Sequence, residues 1–134
     1  MSEIKKKIMI IEDNKDLQDI YRHSFEKYGY EVVVEGNGLE GMNSVIKSLP
    51  DVILLDLMMP GMDGFGFLRK VKDGGGLSIP VIVCSNISDV DTINKALKDG
   101  ALDVILKVDY SGKQLVDKVN LLVTDYYHKK INSN

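Results

Sequence analysis

Five short apolar runs alternate along the chain with five segments whose apolar residues recur at helical spacing. The runs Lys7–Ile11, Tyr30–Glu35, Val52–Asp56, Pro80–Cys84 and Leu102–Leu106 predict strands. Several are apolar at consecutive positions, the pattern of strands covered on both faces in a parallel sheet. The first helical segment, about Lys15 to Tyr28, is expected to turn Leu17, Ile20, Tyr21, Ser24, Phe25 and Tyr28 inward, with Gly29 closing it. The second is expected to bury Leu39, Met42, Val45, Ile46 and Leu49 and to stop at Pro50. Phe65, Leu68 and Val71 mark the third. Val90, Ile93, Ala96 and Leu97 mark the fourth, closed by Gly100. Leu115, Val119, Leu122 and Tyr126 mark the fifth. A strand–helix unit repeated in this way predicts an α/β fold. The expected form is a doubly wound, five-stranded parallel sheet of order 2-1-3-4-5 with five helices.

With 134 residues the chain is expected to form a single domain, its core at about 7–127 and a tail at 128–134. A chain of this size buries about two thirds of its unfolded surface, so neither disulfide nor structural metal is required. Cys84 is the lone cysteine and lies in an apolar run, which suits a buried thiol in a reducing, cytoplasmic setting. The apolar runs are too short for a membrane span. A formal net charge of -3 argues against a direct nucleic-acid surface. Lys5-Lys6-Lys7 and Lys129-Lys130 are expected to be solvated flanks. Gly74-Gly75-Gly76 is expected to be a loop at the far end of the sheet from the strand ends that carry chemistry.

Those strand ends deliver a particular set of side chains. The first strand ends at Glu12 and Asp13, the third at Asp56, the fourth at Ser85 and the fifth at Lys107. In the predicted order the first and third strands are neighbours where the winding reverses, the place where open α/β sheets hold ligands. Three carboxylates crowded there repel one another, and a divalent cation relieves that. No His or Cys joins them, so the cation should be hard, and Mg2+ fits. A carboxylate nucleophile, a cation site, a lysine and a hydroxyl suit in-line transfer of phosphate onto an aspartate.

Taken singly, these residues have structural explanations. Glu12-Asp13-Asn14 could cap the first helix, Ser85 or Ser88 the fourth, and Asp56 the third. Gly36-Asn37-Gly38-Leu39-Glu40-Gly41 formally matches a dinucleotide-binding fingerprint. It follows the second strand rather than the first, however, and Glu35 before it would repel phosphate. The pair Met58-Met59 is better explained by packing than by a soft metal. His23 is expected at the surface or its boundary and His128 in the tail.

In order, the pattern is Glu-Asp after the first strand, Asp56-Leu-Met-Met-Pro-Gly-Met-Asp-Gly after the third, Ser85 after the fourth and Gly100-Ala-x-x-x-x-x-Lys107 at the fifth. It resembles the receiver domain of two-component response regulators, of the single-domain, chemotaxis-regulator-like type and of flavodoxin-like fold. The likeness covers roughly residues 7–127. It implies Asp56 as phosphoacceptor, charged by a histidine kinase or phosphotransfer protein. It implies Mg2+ held by Asp13, Asp56 and the Met58 backbone carbonyl, and by Glu12 through water. Ser85 and Lys107 would bind the phosphoryl oxygens, and Pro60-Gly61 would shape the loop. Such a domain catalyses only its own phosphorylation and dephosphorylation. It signals to a protein partner through the face of the fourth helix, fifth strand and fifth helix, and dimerisation on phosphorylation is left open.

The chain departs from the family at several points. Val108 follows the lysine where proline is usual, so a trans peptide is expected there. Val104 replaces the usual aromatic switch, which shifts signalling to the segment after Ser85 and the fourth helix. Asn86 stands where a small residue is common, either bonding the phosphoryl group or narrowing access to Asp56. Met58 and Ile87 cannot position an attacking water, which predicts slow loss of phosphate. Two other functions remain open: a degenerate receiver acting as a constitutive binding module, and a magnesium-dependent aspartyl-phosphate phosphatase. Phosphatases resembling the haloacid dehalogenase group need a second Asp where this chain has Met58.

Overall fold

The computed structural model describes residues 6–59, 63–73, 78–86 and 88–132. Gly74-Gly75-Gly76, Pro60-Gly61 and Ile87 therefore lie outside the described residues. The strands are β1 (Lys7–Ile11), β2 (Glu31–Glu35), β3 (Val52–Leu55), β4 (Val81–Ser85) and β5 (Asp103–Leu106). The helices are α1 (Lys15–Lys27), α2 (Gly38–Ser48), α3 (Gly64–Asp73), α4 (Val90–Lys98) and α5 (Gly112–Ile131), with a 3-10 turn at Lys107–Asp109. All pairings are parallel, in the order β2-β1-β3-β4-β5 that the alternation predicted.

Alternation along the strands divides the core into two layers. Ile8, Ile10, Val52, Leu54, Ile82 and Cys84 face α1 and α5 and pack with Tyr21, Phe25, Leu115 and Val119. Met9, Ile11, Ile53, Leu55, Val81 and Val83 face the other way, onto Val45 of α2, Phe67 and Leu68 of α3, and Ala96 of α4. Cys84 is a free, buried thiol, and burial pushes its pKa up to about 11. Among the described residues no helix is long and apolar enough to cross a membrane.

Several helical positions differ from expectation. On α2, Leu39, Ile46 and Leu49 are exposed, Leu39 at 75%, and the buried face is Gly38, Gly41 and Val45. A Cβ at Gly41 would come within 2.6 Å of Ile11 Cδ1, so the helix sits on the sheet through its glycines. Glycine carries no hydrophobic signal, and of the neighbouring apolar stripe only Val45 is fully buried. Ile20 and Tyr28 on α1, and Val90 and Leu97 on α4, are exposed as well. Lys7 is not a solvated flank, because its Nζ donates to the Ser48 carbonyl at 2.8 Å and its N–H to Asp51 Oδ2 at 2.8 Å. α5 runs through Ile131, so 128–131, expected in the tail, are helical and His128 is a helix residue. Every peptide bond among the described residues is trans, including 107–108.

Gly29 and Gly100 take positive φ after α1 and α4, as their closing roles require. Leu49 does the same after α2, at φ 46, without glycine's freedom. A left-handed conformation costs an L-residue about 1–2 kcal/mol. Leu49→Gly is therefore expected to raise stability by about 0.5 kcal/mol after glycine's larger unfolded-state entropy is deducted. A denaturant midpoint below that of the wild type would show that the leucine side chain contributes more than its conformation costs.

Candidate functional site

The switch point of the sheet brings the acids together. The Glu12 N–H donates to the Glu35 carbonyl at 3.1 Å and the Asp56 N–H to the Ile11 carbonyl at 3.1 Å. Residues just past β1 and β3 are thus locked side by side. Oxygens of Glu12, Asp13 and Asp56 lie within 4.8 Å of one another. Glu12 and Asp56 are buried, at 2% and 6% exposure, while Asp13 is exposed. Lys107, at the start of the 3-10 turn after β5, places Nζ 2.7 Å from Glu12 Oε1 and 2.9 Å from Asp56 Oδ2. The remaining oxygens of the two buried acids take backbone donors. Asp56 Oδ1 accepts from Met58 N–H at 3.0 Å and Glu12 Oε2 from Asn14 N–H at 3.1 Å.

Ser85 is the last residue of β4, not the first after it as predicted. Its hydroxyl is fully buried and has no hydrogen-bond partner among the described residues. A buried polar atom left unpaired is costly, and a hydroxyl kept this way at a ligand-binding edge suits an acceptor that arrives with the ligand. Asn86 beside it is exposed. Val104 lies half-buried against the layer that faces α4 and has no ring to move.

The structural explanations hold only in part: within Glu12-Asp13-Asn14 the cap is Asn14, and Asp56 does accept a local turn bond from Met58 N–H, but Glu12, Asp13, Asp56 and Ser85 cap no helix. Asn14 caps α1, accepting from Leu17 N–H at 3.0 Å. Asp63 accepts from Phe65 N–H at 3.1 Å in the first turn of α3, and Asp89 caps α4 through Thr92 N–H at 2.9 Å. Asn37 caps α2 through Glu40 N–H at 2.9 Å, and Glu35 bonds Ser44. The glycine-rich segment before α2 is therefore a capped strand-to-helix turn and not a dinucleotide cradle. Met59 is buried, as packing requires, and the Met58 side chain is 68% exposed.

Burial raises the Glu12 pKa above its ordinary 4.5, against the Lys107 ammonium and the Asn14 N–H, which pull it down. For Lys107, burial alone would lower the pKa. The bonds to Glu12 and Asp56 outweigh it and raise the value above 10.5. The stability that Lys107 contributes is therefore fully present below pH 10.5 and is lost as pH rises through its folded value.

Three close carboxylates with no nitrogen or sulfur ligand among them, open to solvent at Asp13, fit a hard divalent cation that keeps several waters. Sequence reading did not single out Gln18, whose side chain reaches back from α1 to the Glu12 carbonyl at 2.5 Å.

A flavodoxin-like α/β domain with acids, a lysine and an unpaired buried hydroxyl gathered at the carboxyl edge of its sheet is the class this fold and site define. The family model for the response regulator receiver domain matches residues 8–120. The chain is 30% identical over 121 residues to the probable transcriptional regulator ycf27 of Guillardia theta, covering 90% of this chain and 46% of that protein. It is 35% identical over 109 residues to the transcriptional regulatory protein ZraR of Klebsiella oxytoca, covering 81% of this chain and 24% of that protein. The chain thus spans half or less of the length of these two relatives. It superimposes on the receiver domain of the Francisella response regulator 1452 with a TM-score of 0.81 at 27% identity, covering 91% of this chain and 99% of that one. The chain belongs to the receiver domain family of two-component response regulators. Phosphorylation and magnesium binding are general to that family.

Proposed function

We propose that this receiver accepts a phosphoryl group on Asp56 from a histidine kinase or phosphotransfer protein, with Mg2+, and signals by changing shape for a protein partner. The observation that carries this is the convergence of Glu12, Asp13 and Asp56 with Lys107 Nζ held between two of them. An Asp56 carboxylate oxygen attacks the phosphorus of a phosphohistidine. The N–P bond breaks, its electron pair stays with the imidazole, and an acyl phosphate forms. Lys107 and the unpaired Ser85 hydroxyl meet the phosphoryl oxygens. Asp13, Asp56 and the Met58 carbonyl would hold Mg2+ directly and Glu12 through water. Bound there, the ion offsets the negative charge of carboxylates and phosphoryl group.

Drawing Ser85 toward the phosphoryl group pulls on the end of β4 and hence on α4. Val90, Leu97 and Val108 are exposed apolar residues on α4 and beside β5, a surface suited to protein contact. With a net charge of -3, the domain is not expected to bind nucleic acid itself, and it acts in the cytoplasm with its phosphodonor. Beyond its own phosphorylation and dephosphorylation it turns over no substrate.

Incubation with magnesium and acetyl phosphate, followed by intact-mass spectrometry, tests this. One added phosphoryl group, mapped to Asp56, supports the receiver. Repeated turnover of phosphate would favour the phosphatase, and no labelling the degenerate module. The label should be long-lived, because the exposed Met58 cannot orient a water. Met58→Asn is expected to speed its loss several-fold in a chase experiment, and an unchanged half-life would count against that role.

A further inference from the structure

We propose that Gln18 is a positioning residue for the cation site, setting where Asp13 stands. This rests on the assignment of Glu12, Asp13 and Asp56 as the site for Mg2+. Glu12 and Asp56 are each fixed by bonds to both carboxylate oxygens, from Lys107 and from a backbone N–H. The Asp13 carboxylate has no hydrogen-bond or ion-pair partner among the described residues, and it is exposed. Its place beside the other two acids is inherited from the backbone on which it stands.

That backbone is the turn from β1 into α1. The Glu12 N–H still belongs to the sheet, through Glu35. The Glu12 carbonyl, which is half of the peptide that carries Asp13, lies past the end of β1. Among the described residues its donor is the Gln18 side chain, at 2.5 Å from a helix that begins at Lys15. Gln18 also makes the first backbone bond of α1, its N–H donating to the Asn14 carbonyl at 2.9 Å. One residue thus holds both ends of the turn, through its main chain at Asn14 and its side chain at Glu12. Without the amide, the Glu12–Asp13 peptide can rotate and Asp13 can leave the cluster, although the two buried acids stay in place.

Magnesium titrated by calorimetry, with no phosphodonor, tests the proposal on the wild type, Gln18→Ala and Gln18→Met. Methionine keeps the length of the side chain and removes the donor. Loss of a supporting hydrogen bond behind a metal ligand weakens binding by about tenfold or more, and both variants should show this. Labelling by acetyl phosphate should then need more magnesium for half-maximal rate and reach the wild-type plateau. Val123→Ala, on the buried face of α5, should lose stability and leave the magnesium constant unchanged. Variants that bind magnesium within twofold of the wild type, whatever their melting temperature, would overturn the proposal alone. A wild-type chain that binds no magnesium would overturn the cation site and the proposal with it.

Discussion

Asp56→Asn is expected to take up no phosphoryl group from acetyl phosphate in the presence of magnesium, and to keep its fold. An amide lacks the anionic oxygen that attacks phosphorus, so labelling should fall to the background. The substitution matches the size of aspartate, and its amide oxygen can still accept the Met58 N–H that now bonds Oδ1 at 3.0 Å. Lys107 keeps Glu12 as partner at 2.7 Å, so no buried ammonium is left alone. One acid also leaves a crowded trio. Against that, the amide Nδ2 would take the place of Oδ2, which now accepts from Lys107 at 2.9 Å, so the melting temperature, followed by circular dichroism, should stay near that of the wild type. Label persisting on Asp56→Asn would place the acceptor elsewhere, with exposed Asp13 the first residue to examine. Lost label together with a collapsed fold would mean that Asp56 is structural.

The sheet was legible because strands buried on both faces are written as unbroken apolar runs, and because the repeated unit permits few windings. The site was legible for a related reason. A residue just past a parallel strand is delivered to the carboxyl edge whatever the helices do, so Glu12, Asp13, Asp56, Ser85 and Lys107 could be placed from strand boundaries alone. Helix faces were less legible. α2 approaches through Gly38 and Gly41, which no hydrophobicity pattern marks, and Leu39 and Ile46 are left outside. The end of α5 was missed because Lys129 pairs with Asp125 at 3.1 Å, a local contact that keeps helical a stretch with little apolar pattern. The pairing of Lys107 with Glu12 as well as Asp56, and the bond from Gln18 to a carbonyl, depend on side-chain reach across elements. Spacing along the chain does not encode that.

Lys107→Ala is expected to lower stability at neutral pH by about 3 kcal/mol, the low end of what breaking a buried ion pair costs. Lys107 Nζ is the cation shared by Glu12 and Asp56, and its removal leaves two buried carboxylates facing each other. The cost is limited because Glu12 can take up a proton. Its pKa is already raised by burial, and loss of the ammonium raises it further. The sign of the pH dependence follows. A carboxylate whose folded pKa lies above its unfolded value favours the fold most when protonated. The stability it contributes is present below pH 4.5 and is lost as pH rises through the folded value. The deficit of Lys107→Ala relative to the wild type should therefore be small near pH 4.5 and full at pH 7. Magnesium should narrow the gap at neutral pH, because a cation among the same acids supplies the missing charge. Urea titrations at both pH values, with and without magnesium, read all of this. A variant with the wild-type midpoint at pH 7 would show that water, rather than Lys107, already compensates the two acids.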